Sequence, residues 1–343
     1  MSAEIKPGFN YDRKRLADIL PLPTPFTFLL APSHICNLKC IYCSQGKKRE
    51  ELISEGFEFK LMDYEIFLKF AAQLKEFPNK LKLVFVSGMG EPLVHKRVPD
   101  MIAHMRDLDV AERLEIFTNG LLLTKDVADA LAASGLTRLR VSLQGLNSKK
   151  YSEVGGADVN FDDLREKLAY FYSVRKQCKL YIKVIDSALE PGDEEKFYEM
   201  FRDVSDEMFI ERFVPYQLTM GDYENEANAS TTVYGDKVLD ADVCPEPFFN
   251  WQIDLYGNIY PCCPLGLPKS FSVGNVNEST ILEMWNGNKA RELRLQLLRK
   301  ERRNHEVCGR CQCFLSKLTP ADRLDDDTER LIPLFEKAQG DHA

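Results

Sequence analysis

Six short apolar stretches punctuate the first part of the chain: FTFLLAPS (26–33), LKLVFVSG (81–88), RLEIFTNG (113–120), TRLRVSLQG (137–145), KLYIKVID (179–186) and EMFIERFVP (207–215). Their length and their β-branched and aromatic residues predict strands, several ending in Gly, Ser or Asn. Between them MDYEIFLKFAAQLKEF, RVPDMIAHMRDL, TKDVADALAAS, FDDLREKLAYFYSVRKQ and DEEKFYEMFRDV repeat their apolar residues at helical spacing. Alternating strand and helix implies a parallel sheet, because each crossover helix returns the chain to the same edge orientation. A complete eight-fold barrel needs more chain than residues 26–215 supply. The expected fold is therefore α/β, an open, partial (β/α)6 TIM-like barrel.

Parity within the strands adds detail. Leu139, Val141 and Leu143 share one face and Arg138, Arg140, Ser142 and Gln144 the other; Leu114 and Ile116 oppose Glu115, Phe117 and Asn119; Leu180, Ile182 and Val184 oppose Tyr181 and Lys183. The apolar faces suit surrounding helices, so the polar faces point into the lumen, where they could hold a ligand. Lys183, Arg140 and Glu115 are candidates for substrate contact and, equally, for a salt-bridge network filling the lumen. Glu211 and Arg212 end the sixth strand with opposite parity, so at most one faces inward. Glu211 joins Lys183 and Arg140 as a catalytic candidate.

Beyond the barrel the pattern changes. Residues 216–243 are polar and acidic, as a linker or loop would be. Residues 244–318 form a small α+β unit with six cysteines, too short for a large core and in need of a metal staple. Residues 1–25 precede the first strand, and the tail 319–343 holds one amphipathic stretch interrupted at Pro333. A chain of 343 residues with 44% hydrophobic and 29% charged residues can bury a core, and a net charge of −8 disfavours nucleic acid and anionic membranes as partners. No apolar run approaches the ~20 residues of a membrane span and the start lacks a signal-peptide pattern, so the expected location is cytoplasmic. In that setting ten cysteines point to metal or redox chemistry rather than disulfides, and nine fall into two groups.

The first group, CNLKCIYC, sets Cys36, Cys40 and Cys43 on a tight loop after the first strand. Three thiolates there can hold three corners of a 4Fe-4S cluster and leave one iron open; structural zinc normally wants four. CNLKCIYC resembles the CxxxCxxC signature of the radical S-adenosylmethionine (radical SAM) superfamily. GMGEP, from Gly88 through Met89, Gly90 and Glu91 to Pro92, resembles that family's GGEP motif, which contacts the methionine amino group of SAM. VSLQG resembles its VSLDG segment, implying SAM contact by Ser142, with Gln144 in place of Asp. FTNG, with Asn119, resembles the end of the family's third strand, and Tyr42 its aromatic position near adenine. Where many relatives have Arg before a Gly pair, YSEVGG has Val154, leaving Arg140 or Arg165 as substitutes. His34 is either a proton shuttle or, more ordinarily, a satisfied histidine beside the loop.

The second group, with CPEPFFNWQIDLYGNIYPCC, SVGNVNESTILEMWN and CGRC, resembles the SPASM, or twitch, extension of that superfamily. Two 4Fe-4S clusters need about eight thiolates, more than this unit carries. The resemblance therefore implies one auxiliary 4Fe-4S cluster on Cys244, Cys262, Cys308 and Cys311, with Cys263 and Cys313 left over and Cys178 in the core. A zinc ribbon is the alternative. What the resemblance implies is reductive cleavage of SAM to a 5′-deoxyadenosyl radical, hydrogen abstraction from a substrate, and electron transfer to the auxiliary cluster, with flavodoxin or ferredoxin as reductant. The cysteine arrangement resembles that of single-auxiliary-cluster dehydrogenases acting on 2-deoxy-scyllo-inosamine. The expected reaction is oxidation or epimerisation at a carbinol carbon of a sugar, cyclitol or sugar nucleotide, with modification of a ribosomal peptide as the second reading. Only about 25 residues before the first strand and a single auxiliary cluster count against the peptide.

Overall fold

The computed structural model describes residues 2–9, 13–214 and 227–337. Its strands are β1 (Glu4–Ile5), β2 (Thr27–Leu30), β3 (Leu83–Val86), β4 (Leu114–Thr118), β5 (Arg138–Leu143), β6 (Lys179–Ile185), β7 (Glu207–Glu211), β8 (Asn250–Ile253), β9 (Asn258–Tyr260) and β10 (Gly274–Asn275). They form one open sheet in the order β1-β7-β6-β5-β4-β3-β2-β8-β9-β10. Strands β2 to β7 pair in parallel and are the six that the sequence pattern predicts. The helices are α1 (Arg49–Ser54), α2 (Tyr64–Gln73), α3 (Val98–Leu108), α4 (Lys125–Ala133), α5 (Ser148–Gly155), α6 (Phe161–Val174), α7 (Asp193–Phe201), α8 (Ile281–Asn286), α9 (Asn288–Leu298) and α10 (Thr328–Lys337). None among the described residues is long and apolar enough to cross a membrane.

Local chemistry sets the helix starts. Thr124 accepts from Val127 N–H, Asn147 from Lys150 N–H, and Asn160 from both Asp162 and Asp163, while Thr280 and Glu283 close a capping box on α8. The outward strand residues Leu139, Val141, Leu180, Ile182 and Val184 are buried in a core shared with Phe67, Leu131 and Leu164 of the helices. Inward, the lower lumen carries an ion network. Arg138 donates to Glu115 at 2.9 Å and to Glu207 at 3.0 Å, and Arg140 lies 3.7 Å from Glu115 and 3.8 Å from Glu211.

The N-terminal segment enters this barrel, which its sequence pattern does not announce. β1 pairs with β7, matching Glu4 to Glu207 and Ile5 to Met208. Beyond it, the Gly8 carbonyl accepts from Arg138 Nη2 at 2.6 Å and Arg140 Nη1 at 3.3 Å. A Cβ at Gly8 would sit 1.8 Å from Arg140 Nη2, so the close approach requires glycine. The second cysteine unit joins through β8, which lies parallel to β2 with Phe28 opposite Trp251. A second core gathers Leu16 and Leu20, Phe248, Leu297 of α9, and Leu331 and Phe335 of α10. Residues 16–20 and α10 thus pack on the cysteine-rich unit.

Burial disfavours charge on Glu207, but hydrogen bonds from Lys179, Arg138 and Lys6 outweigh it and draw its pKa from 4.5 to about 2. A carboxyl depressed in the folded state stabilises the fold above its unfolded pKa, and that contribution disappears as pH falls through the folded value. Urea unfolding from pH 5 down to about pH 2 should therefore show a progressive stability loss that Glu207→Gln removes from this window.

Candidate active site and auxiliary pocket

The loop leaving β2 carries Cys36, Cys40 and Cys43 across the carboxyl ends of the strands, where α/β folds bind ligands. Neighbouring loops clamp it. Lys39 N–H donates to Gly155 O at 2.8 Å and Ile41 N–H to Val154 O at 3.0 Å, and Gln45 Nε2 bridges His34 O and Met89 O. Gly90 packs so close that a Cβ would lie 2.6 Å from the carbonyls of Ser33 and Ile35. Burial raises the Cys36 thiol to about 11, opposed by the Leu38 N–H that donates to its Sγ, with Glu91 and Cys43 raising it further. Burial also raises Cys40, with Cys43 and Cys36 adding to it. The neighbouring sulfurs are near enough to disfavour charge on Cys36 and Cys40. Thiolates here need a cationic group among them, and an iron–sulfur cluster supplies one.

Glu91 does something its motif does not reveal. Its buried carboxylate accepts from Thr118 Oγ1 at 2.6 Å, Asn119 N–H at 2.8 Å and Leu93 N–H at 3.0 Å, while its own N–H donates to Ile35 O. Burial raises its pKa against those three hydrogen bonds. The side chain thus joins the loop after β3 to the end of β4, and the Glu91 backbone ties both to the cysteine loop. Asn119 Nδ2 extends the tie to Asn37 Oδ1 at 2.8 Å. Gln144, which stands where the resemblance has Asp, accepts from the Tyr42 hydroxyl and fixes the ring that also packs 5.8 Å from Phe213. Ser142 lies half-buried on β5, level with Lys183 of β6.

Lys183 and Glu211 form an ion pair above the fully buried Arg140, so the three catalytic candidates lie in one network. Of the two residues with opposite parity, Glu211 is the inward one; Arg212 turns out to Asp186 at 3.4 Å. Val154 is core, and Arg165 pairs with Asp162 on the solvent side of α6. His34 stacks on Phe57 with Nδ1 3.2 Å from Glu58 O, and its pKa is lowered by burial; it reads as a satisfied histidine.

Cys244, Cys262, Cys308 and Cys311 line one pocket, walled by Pro247, Phe271 and Phe314 among others. Arg302 holds its last turn, donating to Cys308 O at 2.7 Å and Cys311 O at 2.9 Å. The two surplus cysteines are not among the lining residues. Cys263 Sγ takes hydrogen bonds from Asn250 at 2.9 Å and Lys317 at 2.8 Å, and Cys313 is buried beside Cys311. Among the described residues no three His, Cys, Asp or Glu side chains converge as closely as a single ion requires. Four thiols lining one pocket match the number of protein ligands a 4Fe-4S cluster takes.

Comparison with known proteins bears directly on these two sites. The radical SAM superfamily profile matches residues 30–186, and an iron-sulfur cluster-binding SPASM profile matches residues 244–312. The chain carries a radical SAM domain followed by a SPASM domain. Those domains imply SAM, a SAM-binding 4Fe-4S cluster and an auxiliary 4Fe-4S cluster. A probable GTP 3′,8-cyclase of Methanococcus vannielii is 38% identical over 133 residues, 39% of this chain and 41% of that protein. The chain thus spans less than half the length of that relative. The partial-barrel fold recurs in BtrN, solved with AdoMet and 2-DOIA, at TM-score 0.52 and 19% identity over 84% of this chain and 92% of that one. It recurs too in Streptococcus suis SuiB bound to the precursor peptide SuiA, at TM-score 0.59 and 19% identity over 81% and 69% of the two chains.

Loss of a pocket cysteine should remove one cluster and leave the other. After anaerobic reconstitution, Cys308→Ser should fall from roughly eight irons per chain to roughly four. Cys263→Ser, whose residue lies outside the pocket, should retain both clusters.

Proposed function

We propose that this radical SAM protein oxidises, or by the same first step epimerises, a carbinol carbon in a sugar, cyclitol or sugar nucleotide. The observation that carries the reading is the convergence of Cys244, Cys262, Cys308 and Cys311 on one pocket. Four thiolates occupy every protein position of a 4Fe-4S cluster, which leaves it to exchange electrons rather than to bind substrate. When bound, SAM and the two clusters supply a 5′-deoxyadenosyl radical that takes the carbinol hydrogen atom and an acceptor for the electron that remains. A flavodoxin or ferredoxin is the reductant this reading requires.

The chain itself handles the proton and the substrate's orientation. Glu211, inward at the end of β7, accepts the hydroxyl proton, and its partner Lys183 donates to a neighbouring hydroxyl. Arg140, 3.8 Å below Glu211, positions that carboxylate. The lumen is narrowed in a way that suits a small substrate. Tyr234 packs its ring 5.7 Å from Phe209 and 6.5 Å from Phe9. The segment carrying it is pinned by hydrogen bonds from Val233 to Ser316 O and from Arg212 to Val233 O. BtrN, of the same fold, was solved in complex with AdoMet and 2-DOIA.

The test is anaerobic incubation with SAM, reductant and carbinol-deuterated sugars and cyclitols or peptides, following 5′-deoxyadenosine by mass spectrometry. A carbohydrate should raise its yield and place deuterium in it. Glu211→Gln should lower product formation about a hundredfold or more, the range of a lost general base, while SAM cleavage persists. Stimulation by peptides alone would overturn the reading.

A further inference from the structure

A second cavity, of about 110 Å³, lies between the turn at Leu20–Leu22, α9 and α10. Leu20, Phe248, Trp285 and Phe335 give it apolar walls, and Asn286, Arg291 and Arg294 are its side-chain polar lining. Among the described residues no acidic side chain lines it. Arg294 is only 6% exposed and lies with its guanidinium carbon 4.0 Å from the Trp285 ring centre. Its Nε donates to Pro247 O at 3.0 Å and its Nη1 to Trp285 O at 2.9 Å, but Nη2 is buried without a hydrogen-bond partner among the described residues. Burial alone acts on its charge and lowers its pKa to about 9, with no carboxylate opposing. Arg291, one turn earlier on α9, donates to Asn288 Oδ1 at 2.8 Å.

A buried cation without an anionic partner is expensive, and proteins rarely retain one. Here the missing partner has a place to sit. Guanidinium groups match carboxylates in planar geometry, and a concave, mostly apolar pocket with a few polar groups is the usual form of a small-molecule site. We propose that this cavity binds a small carboxylate with an apolar body, the carboxylate on Arg294 and Arg291 and the body against Leu20, Phe248 and Phe335. The site is separate from both cysteine groups and does not depend on the proposed oxidation. It does share a turn with the auxiliary pocket: Pro247 lines that pocket and the next residue, Phe248, lines this cavity.

Calorimetric titration of the full chain with phenylacetate, its neutral isostere phenylacetamide, and inorganic phosphate tests the proposal. Phenylacetate should bind, with phenylacetamide about tenfold weaker or worse, the size of a lost charge-assisted hydrogen bond. Phosphate should bind more weakly than phenylacetate because it leaves the apolar walls uncovered. Arg294 also braces Pro247 and Trp285, so Arg294→Gln risks the fold. Arg291→Gln is the cleaner variant and should weaken phenylacetate about tenfold without moving the unliganded Tm. No binding of phenylacetate, equal affinity for acid and amide, phosphate binding as tightly as phenylacetate, or an unaffected Arg291→Gln would each overturn it.

Discussion

The parallel pairing of β2 with β8 is the constraint on which the two cysteine sites depend. β2 has the barrel strand β3 on one side and β8 on the other. From its carboxyl end comes the loop with Cys36, Cys40 and Cys43; from β8 the chain turns through β9 into Cys262. One hydrogen-bonded ladder therefore sets the distance between the two cysteine sites. Apolar packing reinforces it. Trp251 of β8 is fully buried, with its ring 6.3 Å from Phe28 of β2 and 4.8 Å from Trp285 of α8. Sliding β8 by one residue would turn Trp251 to the opposite face and disrupt this packing.

A second layer of constraint sits above the sheet. Glu91 gathers three donors from the loop after β3 and the end of β4, and Asn119 and Gln45 carry the tie to the cysteine loop. The motif residues thus work on one another as much as on a ligand. Such satisfied buried networks hold geometry rigidly.

Much of this was legible in the chain because it is periodic or local. Period-two alternation placed Arg138, Arg140 and Lys183 inside and Leu139, Val141 and Ile182 outside, and the resemblance of the second cysteine group to the SPASM extension implied the four residues that line the auxiliary pocket. The proposed lumen network is also present, but its lower part is completed by Gly8, whose carbonyl comes from a segment with no strand-like pattern. No local signal marks a glycine that meets Arg140 across 132 residues. Nor could a motif match say which way Glu91 points, or that Gln144 would hold Tyr42; both follow from strand order. The β8 addition to β2 escaped for the same reason, since NWQI alone does not show which sheet it will join. Part of the polar stretch before Cys244, residues 215–226, lies outside the described residues, but its remainder brings Tyr234 to the lumen.

The central claim is one open and one closed cluster held in a single frame. ⁵⁷Fe Mössbauer spectroscopy of the anaerobically reconstituted chain, recorded with and without SAM, addresses it most directly. Two 4Fe-4S components of equal area are expected, with SAM creating a distinct iron site in one and leaving the other unchanged. A single component, or zinc in place of the second, would contradict the account, as would SAM perturbing both.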